Sequence, residues 1–207
     1  MKRKTGTFLN KLMAVIMVYI LFAILLCGVY LIHSYFFTVE VVLYDTILDV
    51  LIASGAVALF LFTLRVLSLF TGFEKTLIIF TCILSGYAFA ITIPTVIDRS
   101  LSMYILEKIQ QRGGGILQDK IEDVFTKEYL FEHRLMDVRL TEQLESGTIV
   151  IEGGCVKLTG WGDAVASFGV FFRQNLLPKK RLLMGEYTDD LTNPFRNSID
   201  VNDYKCE

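Results

Sequence analysis

The sequence predicts an α-helical membrane protein, three transmembrane helices followed by a C-terminal domain of mixed α and β structure. Three observations carry that expectation. From Leu12 to Ile32, 21 consecutive residues bear no charge, and further apolar runs cover about residues 47–70 and 76–97. Charge is unevenly spread: Arg99 to Glu207 hold 14 Lys/Arg and 17 Asp/Glu, a net charge of −3, while the preceding half is sparsely charged. Finally, helical periodicity in the polar half gives way to two short β-prone runs, "TIVI" and "CVKL", separated by "EGG". The overall 53% hydrophobic content therefore averages two unlike parts.

The first run is long enough to cross a hydrocarbon core of about 30 Å as a helix. A signal peptide is the competing reading, but the run exceeds a usual h-region and no clear cleavage site follows. The second run contains Asp49 near one end and Arg65 near the other. Arg65 reads either as a snorkelling side chain at the membrane surface or as a ligand for an acidic lipid or a partner carboxylate. In the third run Pro94 interrupts the hydrogen-bond ladder and predicts a kink. Ser54-Gly55-Ala56 and Ser85-Gly86 are small-residue patches, suited to packing among the three helices or to a homo-oligomer. Cys27 and Cys82, inside apolar runs, read as inert packing residues.

Basic residues set the expected orientation. Lys2, Arg3, Lys4 and Lys11 flank the first span, Arg65 and Lys75 the second connection, and the first loop, about residues 33–46, has no Lys or Arg. The N-terminus and second connection are thereby expected in the cytoplasm and the C-terminal domain on the other side. Arg99, Lys108 and Arg112 oppose this, three basic residues against six.

Residues 99–115 predict an amphipathic helix, with Leu101, Tyr104, Ile105 and Ile109 on one face and Glu107, Lys108 and Gln111 facing away, closed by the hinge "RGGG". The domain is expected over residues 116–184. Leu117, Ile121, Val124 and Phe125 mark one helical face. A further helix ends at Gly147, the hairpin follows, and Thr159 caps a last helix stopped by Pro178. Residues 185–207 read as a polar tail.

"RLTEQLESGTIVIEGGCVKLTGWG", Arg139 to Gly162, resembles the core of a winged-helix module: recognition-type helix, wing hairpin, then "LTxxG". The resemblance spans about residues 117–177 and implies a fold that often reads DNA. The electrostatics argue otherwise, because Asp137, Arg139, Glu142 and Glu145 on the would-be recognition helix give three acids to one base, which would repel phosphates. These four residues are read as a protein-docking helix instead. Lys179, Lys180 and Arg181 form the one basic cluster. "FGVFFRQNLLPKKR" reads either as a closing core helix with solvated charges or as an interfacial helix with that cluster at lipid headgroups.

No catalytic constellation, metal spacing or cofactor motif is found, and the reading is of a non-catalytic protein. Asp98-Arg99 is either an ordinary interfacial anchor or a lipid-phosphate contact. A Cys155–Cys206 disulfide stays open and would require an oxidising compartment. "PTVIDRSLSMYILEKI" and "RLLMGEYTDDLTNPF" resemble small membrane proteins encoded beside bacterial surface-polysaccharide genes. The resemblance implies an accessory subunit of the bacterial inner membrane, working with a larger membrane enzyme such as a glycosyltransferase or polymerase. A membrane-bound transcription regulator, or a sensor or effector subunit of a stress or phage-defence system, is the alternative.

Overall fold

The computed structural model describes residues 2–63, 69–196 and 206. Contacts divide the chain into two compact units, Met1–Tyr129 and Leu130–Glu207. The boundary thus lies beyond the glycine run that the sequence marks as a joint.

Three helices of the first unit are long and apolar enough to cross a membrane, the architecture of a multi-pass membrane protein. They are α1 (Lys2–Phe36), α2 (Val42–Thr63) and α3 (Gly72–Thr92). Each buries a stripe at helical spacing: Ala14, Val18, Phe22 and Leu26 on α1, Val50, Ala53, Val57 and Leu61 on α2, Ile78, Cys82 and Ala90 on α3. Lipid tails are as apolar as these side chains, so close packing holds the helices, and small residues permit it. Gly86 is the tightest point, where a Cβ would meet both Val50 methyls and the Phe22 ring. Ser54 and Gly86 therefore pack internally, whereas Gly55, Ala56 and Ser85 face outward. Cys27 is also exposed, so it is no packing residue of this bundle, unlike buried Cys82.

The first loop is shorter than expected. The α-helices leave only residues 37–41 between them, so His33, Asp45 and Thr46 lie within helices. A polar side chain does not end a helix whose backbone must stay hydrogen-bonded in lipid. Asp45 instead accepts from the Glu40 backbone N–H (3.1 Å), closing the turn. At the opposite end of the bundle, Thr71 and Glu74 form a reciprocal cap on α3. Lys11 binds both Glu74 carboxylate oxygens (2.7 and 3.0 Å), and Lys75 donates to the Leu61 carbonyl (2.6 Å).

Pro94 breaks the third span as expected, starting α4 (Pro94–Arg99) after Ile93. Ser100 then caps α5 (Leu101–Gln111). Lys108 does not face away. It falls four residues after buried Tyr104 on the same face, its stem buried, its amine 5.6 Å over the Tyr104 ring and 2.8 Å from Glu128. Arg112 reaches the other Glu128 oxygen at 2.8 Å. Glu128 belongs to the wide helical turn Val124–Tyr129, preceded by α6 (Ile121–Asp123), and Tyr129 packs 4.7 Å from Tyr104. The two cations, Lys108 first, hold the Glu128 carboxyl below its ordinary range.

In the second unit a short turn, α7 (Leu130–Glu132), leads to α8 (Leu135–Glu145), which ends at Gly147 in the left-handed region (φ 67°). β1 (Ile149–Glu152) and β2 (Cys155–Leu158) pair antiparallel, turning through Gly153 and Gly154 at φ 59° and 79°. The helix–hairpin–helix order is completed by α9 (Gly160–Asn175), capped by Thr159 accepting from Gly162 N–H at 3.0 Å. The "LTxxG" stretch acquires a physical reason here. Thr159 donates to the Gly147 carbonyl (2.7 Å), and Gly162 lies against the Thr148 carbonyl where a Cβ has no room. β3 (Arg181–Leu183) and β4 (Glu186–Thr188), the latter at the start of the expected polar tail, form a second hairpin through Met184 and Gly185, both at positive φ. Cys155 and Cys206 are joined by a disulfide, their Cα atoms 6.0 Å apart.

Candidate functional site

The second unit leaves its largest apolar residues uncovered. Thr159 and Gly162 fix the first turn of α9, and the helical repeat then places Trp161, Val165, Phe168 and Phe172 along one side. The sequence pattern puts Val165, Phe168, Phe172 and Leu176 on a core-facing side or, alternatively, Phe171, Leu176 and Leu177 at a membrane interface, and the first of these is corrected. Trp161 and Phe168 are each 63% exposed, and Gly162 is the one buried residue of the helix. The small sheets provide no layer broad enough to cover it. Phe171 and Leu176 are exposed as well. The β3–β4 hairpin adds Leu182, Tyr187 and, at its tip, Met184, 87% exposed. Lys179 and Lys180 stand exposed before this hairpin, and Arg181 is its first, half-buried residue. Apolar surface followed in the chain by a basic cluster is suited to a partner's apolar groove or to a lipid interface.

The acidic helix α8 presents a different surface. Asp137 pairs with Arg134 (2.7 Å), Glu142 with Arg139 (2.7 Å), and Glu145 is exposed. Arg139, the single base expected on this helix, is thus already neutralised, which leaves nothing on α8 to meet phosphates. Asp98 and Arg99 lie 3.9 Å apart at the end of α4. Arg65 lies outside the described residues.

One polar site escapes sequence reading. His33 Nδ1 and Asp49 Oδ1 are 2.7 Å apart, joining α1 to α2 inside two apolar spans. Asp49 is only 2% exposed, and Thr46 and Ser54 are buried on the same helix. Thr46 Oγ1 donates to the Val42 carbonyl (2.6 Å), while Ser54 Oγ has no partner among the described residues. Beside the pair runs a cleft of about 320 Å³ lined by Val29, Ile32, His33, Phe37, Leu48, Asp49 and Ile52. The signal was present: an aspartate inside a span must be paired, and His33 is the one imidazole or cation between Lys11 and Arg65. Among the described residues no three His, Cys, Asp or Glu side chains converge as a metal site would require.

Comparison with protein-family models, with curated proteins and with solved structures finds no match for this chain.

Proposed function

We propose that this chain is a non-catalytic accessory subunit of a membrane assembly, anchored by α1–α3, whose C-terminal module holds a larger membrane protein. The exposed apolar face of α9 carries this reading. A face of Trp161, Val165, Phe168 and Phe172 is costly to leave in water, and aromatic anchors of this type dominate protein interfaces. The module reads as a winged helix used for protein contact, since α8 is acidic and its arginine is engaged by Glu142.

The basic-residue count and the Cys155–Cys206 disulfide favour the same orientation, with the N-terminus in the cytoplasm and the module in an oxidising compartment outside it. That side is where lipid-linked sugars are assembled into surface polysaccharide, and a glycosyltransferase or polymerase of a bacterial inner membrane is the partner this reading names.

A photo-crosslinking residue at Phe168, with a second at exposed Glu145 as reference, tests it in intact cells. The expected result is a discrete protein adduct from Phe168, identified by mass spectrometry, that disappears in a Trp161→Glu background. Adducts to lipid alone, or equal and diffuse adducts from both positions, would overturn the proposal.

A further inference from the structure

The cleft beside His33 and Asp49 is built around a buried acid, and its surroundings select what can enter. A carboxylate offers two oxygens and about four acceptor positions, and among the described residues Asp49 meets only the His33 ring. The sequence has no Lys or Arg between Lys11 and Arg65, and α3 carries no charge after Lys75. On α4, which packs against α2, Asp98 and Arg99 offset each other. Glu40 stands exposed and Asp45 half-buried at the α1–α2 turn, so the charges on this end of the bundle are predominantly negative. An anionic head is repelled there, while a cation is attracted both by the carboxylates and by the Phe37 ring on the cleft wall. The volume, about 320 Å³, lies at the low end of ligand sites of roughly 300–1,000 Å³, which suits one chain and a small head.

We propose that this cleft binds a single-chain amphiphile with a protonated-amine head. The chain lies against Val29, Ile32, Leu48 and Ile52, and the ammonium sits between the Asp49 carboxylate and the Phe37 ring. Charge conservation gives the site a second property. A His33–Asp49 pair holding one exchangeable proton beyond the neutral imidazole is neutral overall; without it the pair carries −1. Burying net charge between apolar helices is costly, so an arriving ammonium takes the place of that proton. The proton leaves to solvent and the local charge is unchanged.

The test uses the full chain in phosphatidylcholine nanodiscs with ¹⁵N-labelled histidine, His33 being assigned through a His133→Gln variant. Dodecylamine is expected to shift the His33 ring ¹⁵N signals saturably. Dodecanol, which has no charge, should leave it unchanged. A two-chain trimethylammonium lipid added to equal surface charge should also leave it unchanged, because it does not fit. Ile52→Trp, which fills the cleft from its exposed rim and spares the pair, should abolish the amine response while the amine-free His33 signals stay as in the wild type. A His33 signal that ignores dodecylamine, that answers dodecanol or the two-chain lipid equally, or that responds undiminished in Ile52→Trp would overturn the proposal.

Discussion

The two units use their side chains in opposite ways. In the bundle, small residues are turned inward: Gly86, Ala53, Cys82 and Ala90 bring helices together, and large ones such as Phe80 and Leu59 face outward, as lipid allows. The C-terminal unit also turns large residues outward, but a module in water gains nothing from doing so. Its stability must come from elsewhere, namely from one disulfide and the Thr148–Thr159–Gly162 junction. On the function proposed above, identical exposure has different meanings: solvation by lipid in one unit, an unfilled contact in the other. This difference predicts which perturbations each unit withstands.

The largest effect should come from the disulfide. Cys155 and Cys206 are 51 positions apart, and on the chain-entropy model closing such a loop is worth about 4 kcal/mol. Cys206→Ser should therefore make the C-terminal unit protease-sensitive in protein whose bundle remains intact, and a reductant should do the same to the wild type. If the unit resisted proteolysis equally in both, the contrast drawn here between a stapled module and a self-sufficient bundle would fail.

Next are the two close-approach glycines. At Gly162 the obstacle to a Cβ is the Thr148 carbonyl, backbone already fixed by the Thr159 N–H at 3.0 Å. At Gly86 it is the Val50 and Phe22 side chains, which have some freedom to move. Overpacking typically costs about 1–3 kcal/mol, so Gly162→Ala is expected at about 3 and Gly86→Ala at about 1 kcal/mol. Denaturant unfolding of the C-terminal unit reads the first, and unfolding of the bundle in mixed micelles reads the second. Equal costs would mean that the α8–α9 junction yields as readily as a lipid-embedded core.

Legibility in the sequence follows the same division. The existence of three spans, the Pro94 break, the Gly153-Gly154 turn and the Thr159 cap are local, each fixed by a few adjacent residues, although α1 and α2 run further into the first loop than the apolar runs suggest. What is lost depends on pairs distant along the chain. His33 and Asp49 are separated by most of a turn and two helix ends, and placing His33 in a loop conceals that they meet. The charge of Lys108 suggests solvent, although its spacing from Tyr104 puts it on the buried face, where Glu128 receives it. On α9, spacing puts Val165, Phe168 and Phe172 on one side, but periodicity says which residues share a face and not whether anything covers it. The Arg181–Thr188 hairpin lacked an Asn-Gly turn, and its Met184-Gly185 tip was concealed by the polar composition of the tail.

The smallest predicted effect concerns the first unit outside its spans. Glu128 is held between Lys108 and Arg112, and both lower its proton affinity against the opposing effect of burial. A carboxyl with a depressed folded pKa contributes stability above its unfolded value, and that contribution is lost as the pH falls through the folded one. The contacts of Glu128 with α5 should accordingly persist at neutral pH and weaken only below the ordinary glutamate value of 4.5. Glu128→Gln should remove this acid dependence and expose Lys108, whose side chain is 6% accessible, to amine-reactive labelling at pH 7. The labelling is the informative part. If Lys108 stays protected in Glu128→Gln, packing of its stem on Tyr104 suffices to bury it, and the ion pair selects geometry without holding α5 to the Val124–Tyr129 turn.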